Sequence, residues 1–215
     1  MPVVQALEKP RFRGVFHLWA FFVALVAGVV LVAVADGTRA RLAAWVYVTA
    51  LAAMFGASAF YHRYPFKSAA RRLWARRLDH SMIFLFIAGT YTPFAVLGFS
   101  GVLRTLVLVV VWTGAALGLV LNFVWLDAPK WVTVLAYGAV GWVGVVTIPQ
   151  MFSGVGVMGS VLVIIGGALY TLGALTYTFH WPNPFPGTLG FHEIFHLLVV
   201  AAAATQFVAV SLVVA

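Results

Sequence analysis

Apolar runs close to twenty residues long recur along this chain, and they limit its fold more than any other feature. A helix needs about 20 residues to cross a hydrocarbon core of ~30 Å, so each run reads as a transmembrane helix. Spans are expected near residues 16–35, 41–62, 79–97, 104–124, 131–149, 158–179 and 191–214. The short connections hold the breakers Asp36-Gly37, Gly98-Phe99-Ser100-Gly101, Asp127-Ala128-Pro129, Ser153-Gly154 and Trp181-Pro182-Asn183-Pro184. A membrane β-barrel would instead alternate in polarity over ~10-residue stretches. The expectation is an all-α integral membrane protein, a single seven-helix domain over residues 1–215. Composition agrees: 64% of the 215 residues are hydrophobic and 8% charged, against roughly 25% charged in soluble domains.

The net charge of +8 is not read as a nucleic-acid footprint, because the positive residues sit in short loops between spans. Ten of the thirteen Lys and Arg residues fall on one side of the expected topology, six of them between 63 and 77. The positive-inside rule then puts the N-terminus of this multi-pass cell-membrane protein in the cytoplasm and the C-terminus outside. The N-terminal MPVVQALEKPRFRG lacks a small-residue cleavage site and is expected to stay on the protein. Residues 63–78 (RYPFKSAARRLWARRL) are expected to anchor on anionic lipid headgroups. Their Arg, Leu and Trp residues also fit an interfacial helix.

With no cysteine, a transition-metal site must use His, Asp or Glu. The carboxylates are Glu8, Asp36, Asp79, Asp127 and Glu193, and the histidines are His17, His62, His80, His180, His192 and His196. Ionisable groups within spans are costly and persist when paired, metal-bound or used. His62 closes the second span, Asp79 opens the third, and His192 and His196 open the seventh, so the topology brings all four to one layer. His192 and His196 are one helical turn apart and project from one face, the common helical arrangement for chelating zinc. Ser58 stands one turn before His62. Three imidazoles plus water would make an open zinc site of the catalytic type. His17, His80 and His180 are read as interfacial residues reaching water, and His80 lies ~100° around the helix from Asp79.

The run HEIFH also matches H-E-x-x-H, in which Glu193 would be the general base of an intramembrane metalloprotease. Its third ligand would be His62 or a carboxylate. Pro93, with Gly89, Thr90 and Thr92 before it, is expected to kink the third span. Asn122 and Gln150 are read as interfacial or interhelical hydrogen-bond formers.

SAFYH at 58–62, RRLDHSMIFLFIAGTYTPF at 76–94 and FHEIFH at 191–196 resemble the signatures of the hemolysin III family, the bacterial branch of the progestin and adiponectin receptor superfamily. The resemblance covers nearly the whole chain. It implies a zinc ion held by His62, His192 and His196, with Asp79 holding or polarising the metal-bound water and Ser58 completing the cluster. The motifs are shared with alkaline ceramidases, which are zinc-dependent amide hydrolases. The implied activity is hydrolysis of a lipid amide or ester, the substrate entering from the bilayer. A membrane sensor with structural zinc and a pore-forming cytolysin are the competing expectations; the few polar positions in spans five and six weigh against a pore.

Overall fold

The computed structural model describes residues 10–125 and 127–215, and the backbone alone of Lys130. Glu8 and Lys9 lie outside the described residues. The helices are α1 (Val15–Val34), α2 (Gly37–Arg63), α3 (Ala69–Pro93), α4 (Gly101–Val124), α5 (Lys130–Gly141), α6 (Val143–Gly154), α7 (Gly156–Phe179) and α8 (Phe191–Val214). Among the described residues, seven helical stretches are long and apolar enough to cross a membrane, with α5 and α6 in line forming the fifth. Hydrocarbon offers no hydrogen bonds to the backbone, so continuous helices joined by short turns are the economical solution.

Consecutive helices from α1 to α4 pack side by side, α7 packs along α8, and α8 returns against α1, α2 and α3. This puts α2, α3 and α8 at the centre. Half or more of the apolar window is buried in α2 and α3, against 11% in the α5–α6 span. That outer span exposes Trp131, Leu135, Trp142, Val145 and Val146, as a surface solvated by lipid should.

Three boundaries differ from the sequence expectation. The third span begins ten residues early, at Ala69 rather than 79. The basic segment therefore forms no separate interfacial helix; its second half is the first turns of α3, because no breaker interrupts the good helix formers between Ser68 and Asp79. The fifth span runs on past Pro149 to Gly154, and it is broken in the middle at Trp142. There the Tyr91 hydroxyl enters the break, donating to the Gly141 carbonyl at 2.5 Å and accepting from the Gly144 N–H at 2.6 Å. A side chain inserted into the ladder is a recognised cause of a helix break. Beyond Pro93, helix α3 passes into a wider π-type segment, Phe94–Gly98. The Thr90 and Thr92 hydroxyls bond the carbonyls of Phe86 and Ala88, each at 2.8 Å.

Candidate metal centre

One end of the bundle gathers the C-termini of α2 and α7 with the N-termini of α1, α3 and α8. The start of α8 is fixed locally. Glu193 at the third helical position accepts from the Gly190 N–H at 2.9 Å, half of a capping box. Asn183 Oδ1 accepts from the Phe191 N–H at 3.2 Å. These contacts set the register of the first two turns, from which His192 and His196 project.

The structure brings His62, His192 and His196 together, with one ring nitrogen from each within 4.8 Å of the others. The Nε2 atoms of His62 and His192 are 3.3 Å apart. Ligands ~2.0–2.1 Å from a tetrahedral zinc stand roughly 3.4 Å from one another, so three imidazoles, one pair of which has that separation, are a donor set that suits such an ion. His62 and His196 are buried and His192 is half-buried. Asp79 Oδ2 is 3.7 Å from His62 Nε2, beyond a direct hydrogen bond, and Ser58, buried one turn before His62, stands near the Asp79 carboxylate. Tyr177, in the last turns of α7, lies edge-on to the His192 ring at 5.6 Å.

Glu193 stands apart from this arrangement. Its side chain is buried and paired with Arg13, and its second oxygen takes the Gly190 N–H. Both oxygens thus serve the helix start and the N-terminal segment, which argues against the general-base role drawn from H-E-x-x-H. The Arg13 contact is part of a strap. The Arg11 and Phe12 N–H groups donate to the carbonyls of Gly187 and Thr188 at 3.1 and 3.3 Å. Gly14 follows with φ +76°, and a Cβ there would stand 2.4 Å from the Cβ of His62. Glycine is needed twice over, for the left-handed backbone and for the close approach.

His17 differs from its sequence reading. It does not reach water: it is 3% exposed and stacks on His196 with ring centroids 3.8 Å apart and planes 3° from parallel. The signal was its depth, since it enters α1 from the basic side at the level where His62 leaves α2. His80 turns to its own helix, with Nδ1 2.8 Å from the Arg76 carbonyl. His180 is exposed at the end of α7. Both stand outside the cluster. Asn122 is buried in α4. Gln150 accepts from the Ser100 N–H at 3.3 Å, an interhelical bond. Arg13, Gly14 and Tyr177 carry no motif of their own and were not legible in advance.

A multi-pass helical bundle with a buried three-histidine cluster at its basic end defines the class. The model of the family described as Haemolysin-III related matches residues 5–207, and the chain belongs to that family. It is 34% identical to Hemolysin-3 of Bacillus cereus over 131 residues, which is 60% of this chain and 57% of that protein. To the Hemolysin-3 homolog of Bacillus subtilis it is 31% identical, over 60% of this chain and 58% of that protein. The aligned stretch thus spans less than two thirds of either bacterial relative. Monocyte to macrophage differentiation factor of Homo sapiens is 26% identical over 197 residues, 90% of this chain and 79% of that protein. That match is consistent with the progestin and adiponectin receptor superfamily. A cell-membrane location fits the bacterial members of the family.

Proposed function

We propose that this protein is a zinc-dependent hydrolase of a lipid amide or ester, working at headgroup depth on the cytoplasmic side. The observation that carries the reading is the Asp79 carboxylate, 3.7 Å from His62 Nε2 in the three-histidine cluster. A structural site needs ligands alone, whereas a hydrolytic one also needs a base within reach. Zinc on His62, His192 and His196 would supply Lewis acidity and lower the pKa of a coordinated water from ~15.7 towards ~7.

The chain's own groups do the rest. Asp79 takes up the proton at a carboxylate oxygen, and the Ser58 hydroxyl holds that carboxylate in place. The strap from Arg11 to Gly14 runs beside His62 and the segment leading into α8. On the lipid side, a groove of about 580 Å³ runs between α1, α2 and α3, past Phe21, Ala53 and Gly56 to Phe60 and Leu78. Its apolar lining suits an acyl chain. Lys67, Arg71 and Arg72 are exposed at the same end and would hold anionic headgroups.

The test pairs metal content with turnover for wild type and Asp79→Asn, using a panel of lipid amides and esters. Asp79→Asn is expected to keep its zinc and lose about 10²–10⁴-fold in rate. A wild type that holds zinc and leaves every lipid intact would overturn the hydrolase reading and favour a structural metal.

A further inference from the structure

We infer that His17 is a positioning residue for the metal centre, fixing the plane of the His196 ring by stacking on it. The inference rests on the three-histidine reading above and adds a residue to it. A ligating histidine ordinarily donates its second ring nitrogen to a carboxylate, a backbone carbonyl or water, and that bond fixes the ring. The ring of His192 is packed by Tyr177 and Phe195. His196 lacks the ordinary device: its Nδ1 is buried with no hydrogen-bond partner. In its place, the whole face of the ring lies on His17 at 3.8 Å and 3°.

His17 is itself held. It is buried, and Phe55 of α2 meets it edge-on at 5.1 Å. The terminal torsion of a histidine is broad, without sharp staggered wells, so a ring free to turn would carry its nitrogen away from a shared point. A flat neighbour at van der Waals distance removes that freedom, since any rotation of His196 about its ring bond drives an edge into His17. Direct ligation by His17 at the same point does not fit, because near-parallel planes keep the in-plane lone pairs of the two rings from converging. Neither His17 nitrogen reaches hydrogen-bond geometry with a partner. The contact that defines its place is the ring face.

The experiment measures zinc affinity by chelator competition on the full chain in lipid nanodiscs, for wild type, His17→Ala and His17→Phe. Cobalt(II) absorption spectra report the ligand geometry in parallel, and thermal unfolding without metal verifies that each variant is folded. His17→Ala is expected to weaken zinc binding by about tenfold or more and to alter the cobalt spectrum, the scale seen when an outer partner of a ligand is removed. His17→Phe, which keeps a flat ring, is expected to return both close to wild type. Wild-type binding and spectrum in folded His17→Ala would overturn the inference. So would His17→Phe as weak as His17→Ala, which would make the nitrogens, not the ring face, the active feature. A wild type that binds no metal would give a different result, three proteins equally empty, and would overturn the parent reading as well.

Discussion

The two ends of the bundle are joined by different chemistry. At the basic end a side chain takes part in most of the joints: Arg13 with Glu193, Asn183 with Phe191 and His17 on His196, beside the main-chain bonds of Arg11 and Phe12. At the other end a main-chain group takes part in each of them. The Asp36 N–H donates to the Val214 carbonyl at 2.8 Å, Arg104 Nε donates to the Phe99 carbonyl at 2.9 Å, and the main chains of Gly98 and Gly154 touch. Backbone joints hold helices together with little regard to sequence. Buried polar side chains cost free energy unless each finds a partner, and the buried histidines and carboxylates among the described residues, His17, His62, Glu193 and His196, all stand at the basic end. On the proposed reading, the groups that serve the chemistry are separated along the membrane normal from the main-chain joints of the opposite end.

Removing a cluster histidine should break this comparison most sharply. His62→Ala, His192→Ala and His196→Ala are each expected to lower zinc affinity by at least about a hundredfold, more than the ~10–100-fold that loss of an outer partner costs. Metal content by mass spectrometry on detergent-purified protein checks it. Because a three-ligand site has no spare, equal zinc in any one of the variants would remove that residue from the centre.

Next in size is the buried ion pair. Arg13→Ala leaves the Glu193 carboxylate buried with the Gly190 N–H as its remaining partner. Breaking a buried pair costs ~3–5 kcal/mol, and the side chain of Arg13 is 23% exposed, so about 3 kcal/mol of unfolding free energy is expected. Glu193→Gln should lose stability in the same direction while its zinc affinity holds. A Glu193→Gln variant with full stability but no hydrolysis would instead restore the general-base role of the H-E-x-x-H match.

Sequence was informative where one physical constraint decides the outcome. Hydrocarbon thickness sets the span length, so seven spans were legible, and the last was placed at 191–214, the bounds of α8. The cluster was legible because ionisable residues are rare in lipid and topology brings His62, Asp79, His192 and His196 to one layer. What stayed hidden depends on rotation about helix axes. Whether His17 turns outward to headgroups or inward to His196 is set by how α1 packs against α2 and α8, and one histidine carries no period to show it. The break at Trp142 was hidden for a similar reason, since it needs Tyr91 from another helix. H-E-x-x-H pointed to a base, but Gly190 and Arg13 take both oxygens of Glu193, and neither partner is part of the motif.

The opposite end supplies the third prediction. A Cβ on Gly154 would stand 1.7 Å from the Gly98 carbonyl oxygen, a backbone atom that cannot swing aside. Gly154→Ala must therefore part α6 from the end of the third span, at an overpacking cost of about 1–3 kcal/mol. Zinc affinity should stay at the wild-type value, because the contact lies a full membrane span from the histidines. Stability measured by denaturant and affinity by chelator competition should move independently. If Gly154→Ala lowered zinc affinity as well, the two ends would be coupled and the proposed separation would fail.

The smallest effect should come from the basic end itself, which shows that burial and not location gives a polar contact its weight. Arg76 Nη1 pairs with Asp127 Oδ1 at 3.1 Å, but the carboxylate is 83% exposed. Exposed pairs contribute ~0–1 kcal/mol and are screened by salt. Arg76→Ala should therefore lower stability by less than about 0.5 kcal/mol, and the difference should shrink further at high salt. Arg13→Ala, at the same end and with the same change of charge, should lose several times more and respond less to salt. Equal losses for the two variants would mean that net positive charge at this end, through headgroup attraction, decides stability, and that the burial of Glu193 does not.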